Sequence, residues 1–271
     1  QSEDDISTRF LKRTQGVKSV TLDLKHPRGK ELFLRLARES DVVVENLAPG
    51  SLRRIGLGYD DVAKVNPGIV YASISGYGQT GPYADKPAHD PQIQGMSGLM
   101  DINGDADGPP LKVGFYIGDL VTPIFACYAI LAALREKDRT GQGQYLDVSM
   151  VDTLVSLMFM ENLEENIEDG VPLRTGNISR SGPTGLYSAK DGELSVTMTS
   201  DDQWRRFCNA LEAPQLSEDE RFSTYVSRTV NVESARQEIQ RLIGQLTLEE
   251  ALKRLDENDV PCAPVRTADQ V

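Results

Sequence analysis

The chain has 271 residues, of which 39% are hydrophobic and 26% charged, and its formal charge is −12. That bulk and balance describe a soluble globular protein, either one large domain or two of ordinary size. The acidic excess argues against nucleic acid as a partner, because binding phosphates along a backbone takes a basic face.

No apolar run reaches the roughly 20 residues that span a bilayer, and residues 1–16 lack the apolar core of a signal peptide. Cytoplasm is therefore the expected compartment, with no membrane partner. Cys127, Cys208 and Cys262 are far apart and lack CxxC spacing, and His26 and His89 are the only histidines. Neither a disulfide framework nor a metal site is expected.

Residues 1–16 show no periodicity and no cap. Residues 19–24 (SVTLDL) read as a strand, followed by a helix with Pro27 at its first position and Leu32, Phe33, Leu34 and Leu36 on its apolar side. A second strand over 41–45 (DVVVE), a short helix near 59–65 and a third strand over 69–75 (IVYASIS) complete a βα alternation. Such alternation predicts a parallel sheet, with ligands beyond the carboxyl ends of its strands. That rim holds Asn46 and Leu47 after the second strand and GYGQTG after the third. Gly76, Gly78 and Gly81 do not match a dinucleotide fingerprint; they either make turns or bring backbone close to a ligand.

Residues 82–118 are rich in Gly, Pro and Asp and read as a long irregular passage. Residues 119–134 (DLVTPIFACYAILAAL) carry one charge and read as a buried helix. Asp119 at its mouth is either a cap or a functional acid. Pro123 would clash with the Asp119 carbonyl if that residue were the N-cap, so Thr122 and Pro123 are the predicted N-cap and first helical residue. After a stop near Lys137 and Gly141, a strand (QYLDV) leads into a helix capped by Ser149.

Composition then turns charged and Gly/Pro-rich, as in a connection between domains. Residues 1–165 are the expected large domain, 166–183 a linker and 184–271 a smaller α+β domain. Within the last, strands flank the turn at 189–192, Ser200 caps DDQWRRFCNAL, and Thr247 and Glu250 form a capping box for EALKRLDEN.

His89-Asp90 in the irregular passage is either a turn or a proton-transfer pair with Asp119. Lys25, Arg53 and Arg54 are either solvated or a cationic cluster suited to phosphates.

The run VVVENLAPGSLRRIGLGYDDVAKVNPGIVYASISGYGQTGPYAD, then PAHDPQIQGMSGLM, then GPPLKVGFYIGDLVTPIFACYAILAALREKDRTGQGQYLDVSM, strongly resembles the family III CoA-transferases, the formyl-CoA and carnitine CoA-transferase group. GNISRSGPTGLYSAKDG, DDQWRRFC and VPCAPV are weaker echoes, and the likeness covers most of residues 17–271. It implies an α/β fold with a Rossmann-like parallel-sheet large domain, a smaller α+β domain, and two subunits threaded as interlocked rings. It implies coenzyme A transfer between an acyl-CoA and a small carboxylic acid, commonly a dicarboxylate such as succinate. The implied nucleophile is Asp119, flanked by His89 and Asp90, passing through a mixed anhydride and an aspartyl thioester. The implied coenzyme A contacts are Leu22, Lys25, Asn46, Leu47, Arg54 and Ile55. Amides near Gly76, Gly78 and Gly81 are placed to hold the carbonyl oxygen as it gains charge, and Arg174 or Arg180 to meet a distal carboxylate.

Three departures stand beside the resemblance. Family members begin with a further βαβ segment and end with a return of the chain to the large domain, and this chain carries neither. Only Arg180-Ser181-Gly182 stands where some transferases have a Gly-run lid, and Pro123 replaces a common Gly. The alternative is a 2-methylacyl-CoA racemase of the same superfamily, with His89 and Asp119 as its two bases.

Overall fold

A computed structural model describes residues 7–158, 163–168, 170, 173–177 and 182–271. They form two compact units, divided as Gln1–Leu99 with Val113–Met160 and Met100–Lys112 with Glu161–Val271.

In chain order the first unit begins with α1 (Thr8–Arg13), α2 (Pro27–Arg38), β1 (Val42–Glu45), α3 (Ser51–Arg54), α4 (Tyr59–Ala63) and β2 (Val70–Ser75). It continues through α5 (Asp90–Met96), the boundary helix α6 (Leu99–Ile102), α7 (Ile117–Thr140), β3 (Gln144–Ser149) and α8 (Met150–Leu157). The expected parallel sheet is present, with β2 between β1 and β3. Val43, Tyr71 and Tyr145 stand in one row and Glu45, Ser73 and Asp147 in the next but one. β2 is buried along its whole length, as an apolar central strand must be.

Helix α7 departs from expectation in two ways. It starts at Ile117, not Thr122, so Pro123 lies inside it. Its buried residues are Gly118, Thr122, Ala126 and Ala133, with Ala126 packed on Ile74 of β2 and Val148 of β3. These small side chains let the helix lie close on the sheet and turn its large ones outward: Ile124 is 65% exposed, Tyr128 77% and Leu131 61%. The helix is thus apolar all round without being buried all round. The earlier start also makes it long and apolar enough, by length and composition, to cross a bilayer, contrary to the shorter run read from the sequence. At its other end Gly141 takes φ 74° as the expected stop, and Lys137 Nζ pairs with Asp41 Oδ1 at 2.8 Å beside β1.

Three further expectations are corrected. Residues 19–24 are not a strand, since no described strand pairs with them. The segment before residue 16 contains α1, capped by Ser7, whose Oγ accepts from the Phe10 amide at 3.2 Å. The passage 82–118 holds α5 and α6.

The second unit runs α9 (Leu163–Glu168), β4 (Gly185–Ser188), β5 (Glu193–Val196), α10 (Asp201–Ala210), α11 (Gln215–Glu218), α12 (Tyr225–Val230), α13 (Val232–Ile243), α14 (Leu248–Asp256) and β6 (Cys262–Pro264). Its three strands are antiparallel in the order β4-β5-β6. Leu194 and Val196 on β5 share a core with Trp204, Phe207, Phe222, Ile239 and Leu255. The caps are those the sequence predicts: Ser200 accepts from Gln203, and Thr247 and Glu250 cap each other at 3.2 and 2.9 Å.

Candidate functional site

Four points of the first unit converge beyond the carboxyl ends of β2 and β3. Gly76, directly after β2, accepts the Val151 amide of α8 at 3.1 Å. A Cβ on Gly76 would lie 2.2 Å from the Ala88 methyl, so only glycine lets the segment before α5 come this near. Asp90 opens α5 and is buried, and Gly118 and Asp119 sit in the first turn of α7. Ile93, Met150 and Leu154 pack underneath, with Tyr77, Ala88 and Ile117 around them.

One carboxylate ties these points together. Asp90 Oδ2 accepts from the Gly118 amide at 2.6 Å and from the Asp119 amide at 3.2 Å. These are the second and third residues of α7, whose amides an N-cap side chain ordinarily takes. Local sequence offers no such cap, because Tyr116 makes no side-chain cap bond. This remote acceptor is the physical reason that α7 starts at Ile117. Gly118 leaves room for it, since a Cβ there would lie 3.0 Å from Asp90 Oδ2 and 3.2 Å from Met150 Cε, close enough that both would have to shift by a few tenths of an ångström.

The Asp119 side chain is exposed at this helix mouth, where the partial positive charge of the amino end favours an acid. His89 is the N-cap residue of α5, is exposed, and makes no side-chain cap bond. The structure therefore brings Gly76, Asp90 and Gly118-Asp119 into one neighbourhood. Gly78 and Gly81 take φ 83° and 91° in the loop that follows, where Gln79 N donates to Asp147 Oδ2 at 2.9 Å. These two glycines meet the backbone demand of turns.

The residues expected to contact coenzyme A are less gathered. Asn46 and Leu47 follow β1 and are exposed. Arg54 turns back on its own loop, donating to the Pro49 carbonyl and to Ser51 Oγ, both at 3.0 Å, while Ile55 packs against the core beside Leu52 and Leu57. Gln79 Oε1 accepts from Gly50 N at 3.3 Å, linking the loops after β1 and β2. Leu22 lines a shallow cleft with Leu32, Arg35 and Leu36 of α2, and Lys25 is exposed. No described hydrogen bond or ion pair joins Leu22 or Lys25 to Asn46, Leu47 or Arg54, nor gathers Lys25 with Arg53.

A cleft of about 540 Å³ lies over Tyr71 and Tyr145; Arg53 of the expected cationic cluster lines it, while Lys25, Arg54 and the residues around Asp119 do not. Burial, then the charge of Glu45, pushes the Tyr71 phenol well up, and burial raises that of Tyr145. Among the described residues no group of three His, Cys, Asp or Glu side chains could hold a metal ion.

In the second unit Arg174 lies 3.4 Å from Asp101, so a carboxylate already faces it. Arg180 and Ser181 lie outside the described residues. The residue missed from sequence is Gln94, fully buried one turn after Asp90. The Asp-Pro opening at Asp90-Pro91 is a helix-start signal, and reading it would have put residues 90 and 94 on one face.

A family model described as CoA-transferase family III matches residues 1–271. The succinate–glutarate CoA-transferase of Agrobacterium fabrum is 35% identical over 270 residues, covering 99% of this chain and 68% of that relative. The succinyl-CoA:mesaconate CoA-transferase of Haloarcula hispanica is 37% identical over 266 residues, covering 96% and 66%. The crystal structure of a CAIB/BAIF family protein from Brucella suis matches with a TM-score of 0.81 and 33% identity, over 94% of this chain and 68% of that one. The chain thus spans about two thirds of the length of the curated relatives it matches.

Proposed function

Given that this chain belongs to CoA-transferase family III, we propose that it moves coenzyme A from an acyl-CoA thioester to a free carboxylic acid, with Asp119 as the nucleophile. The observation carrying this reading is the exposed Asp119 carboxylate in the first turn of α7, at the rim where β2 and β3 end.

An Asp119 oxygen attacks the thioester carbonyl, the C–S bond breaks, and coenzyme A leaves as a thiolate, a good leaving group because thiols ionise near pH 8.5. The thiolate attacks the aspartyl carbon of the mixed anhydride, releasing the first acid and leaving an aspartyl thioester. The carboxylate of the second acid attacks the aspartyl thioester carbon, the C–S bond breaks, and the departing thiolate leaves a second mixed anhydride. The thiolate then attacks this anhydride at the new acyl carbon, forming the new acyl-CoA and freeing the Asp119 carboxylate. A bound acyl-CoA would displace water from this exposed carboxylate, which strengthens it as a nucleophile. Gly76, Gly78 and Gly81 supply amides for the developing oxyanion in this reading.

Leu22, Lys25, Asn46, Leu47, Arg54 and Ile55 are the proposed coenzyme A contacts, in a large domain of residues 1–165 joined by 166–183 to a smaller one. A dicarboxylate is the proposed acid, since the two relatives above are named for succinate, glutarate and mesaconate. These names do not favour the racemase alternative. A second copy of the chain is the proposed cover for Leu120, Ile124, Tyr128 and Leu131 on α7, and three free cysteines suit the cytoplasm.

The test is to incubate the protein with succinyl-CoA and digest it. A coenzyme A adduct on the peptide holding Asp119, removed by hydroxylamine, supports the reading. Deuterium entering a 2-methylacyl-CoA from solvent, with no adduct and no acceptor acid, would overturn it.

A further inference from the structure

Both carboxylate oxygens of Asp90 are occupied, and Gln94 completes the arrangement. Gln94 Nε2 donates to Asp90 Oδ1 at 2.5 Å and to the Phe115 carbonyl at 3.3 Å, while its Oε1 accepts from the Val113 amide at 2.9 Å. The other oxygen, Oδ2, holds Gly118 and Asp119. We propose that Asp90 and Gln94 together form a remote cap on α7 that positions the Asp119 carboxylate. Asp90 is then a positioning residue, neither base nor nucleophile, and Gln94 belongs to the same device. The inference rests on the reading of Asp119 as nucleophile.

Helix α7 cannot hold its first turn with its own residues. Tyr116 provides no side-chain acceptor, and Pro123 has no N–H to give the Asp119 carbonyl, so the ladder is broken where the nucleophile sits. Amides left without partners at a helix start must find them elsewhere. A charged acceptor gives them strong bonds, and the amino end of a 24-residue helix suits a carboxylate buried without a described cation.

The orientation of Gln94 follows from its neighbours. The Val113 amide can only donate, which turns Oε1 toward it and Nε2 toward Asp90. Because Val113 and Phe115 belong to the chain entering α7, Gln94 fixes that approach as well as the rotation of the Asp90 carboxylate.

A polarity exchange tests this. Asp90→Asn sets a donor against the Gln94 amide nitrogen, and adding Gln94→Glu restores donor to acceptor while leaving the amide oxygen at 90 for Gly118 and Asp119. The single variant should lower kcat of coenzyme A exchange about 30-fold with KM within about twofold, and the double variant should recover to within about threefold of the parent. Gln94→Glu also removes the donor to the Phe115 carbonyl, so the cap is read separately by hydrogen exchange: a double variant that regains the parent's protection at the Gly118 and Asp119 amides yet exchanges coenzyme A no faster than the single one would overturn the proposal. A second measurement is independent of catalysis: Asp90→Ala should speed hydrogen exchange at the Gly118 and Asp119 amides about tenfold, with α14 unchanged. If Asp90→Ala does not fold, Asp90→Asn is compared with Asp90→Asn/Gln94→Glu, in which the Gly118 and Asp119 amides should exchange more slowly; equal rates would overturn the cap. Should the parent exchange no coenzyme A, the functional reading fails by itself, and unchanged protection at residues 118 and 119 would then overturn the cap.

Discussion

The Asp90 carboxylate accepts the Gly118 amide across 28 positions of chain, at 2.6 Å. This bond makes a sharp prediction for Gly118→Ala. In an ordinary helix interior the change stabilises by about 1 kcal/mol. Here the new methyl would press on Asp90 Oδ2 at 3.0 Å and Met150 Cε at 3.2 Å, and crowding of that kind costs about 1–3 kcal/mol. The variant should therefore be less stable in urea denaturation and slower in coenzyme A exchange. A stabilised variant of full activity would mean that Asp90 does not depend on glycine at this position.

Asp119 separates chemistry from structure. Its side chain is exposed, so Asp119→Asn should change unfolding free energy by no more than about 0.5 kcal/mol. Exchange between acids should nonetheless fall about a thousandfold or more, because the amide cannot form the anhydride. Native-rate exchange by a folded Asp119→Asn protein would remove the proposed nucleophile.

Legibility followed the range of each interaction. Pro27, Ser149, Ser200 and the Thr247–Glu250 pair act within one turn of themselves, and the helices they open were predictable. The start of α7 was not, because its cap comes from Asp90, and local rules gave Thr122 and Pro123 the role instead. The α5 helix hid in a passage rich in Gly, Pro and Asp. Residues 19–24 have a strand's composition, but a strand exists only with a partner, and β6 spans three residues that pair only because β5 is beside them. Asp119 stood out by contrast, an acid before an apolar run, whereas Gln94 carries no such contrast.

The Lys137–Asp41 pair predicts a pH effect. Hydrogen bonding, then charge attraction, from Lys137 lowers the Asp41 pKa below its ordinary 3.8. A folded-state pKa below the unfolded one gives stability that is present above about pH 3.8 and lost as pH falls through the lower, folded value. Lys137→Met should thus be less stable than the parent at pH 7, with the gap closing below pH 3.8 and shrinking in high salt. A gap that persists at low pH would mean that the lysine stem, not the ion pair, holds the end of α7 to β1.

Cys127 reports on what covers α7. In the single chain it is exposed on that helix, Cys208 is buried, and Cys262 is half-buried with its thiol pushed up to about 11 by burial and by Asp256. Thiolates react and thiols do not, so an isolated chain at pH 8 should be alkylated first at Cys127, slowly at Cys262, and at Cys208 only on unfolding. A second copy seated on Tyr128 and Leu131 should instead protect Cys127, and a Tyr128→Arg chain refolded from denaturant should label rapidly there and sediment with half the mass. Rapid labelling of Cys127 in a protein that sediments as a dimer would place the interface on another face.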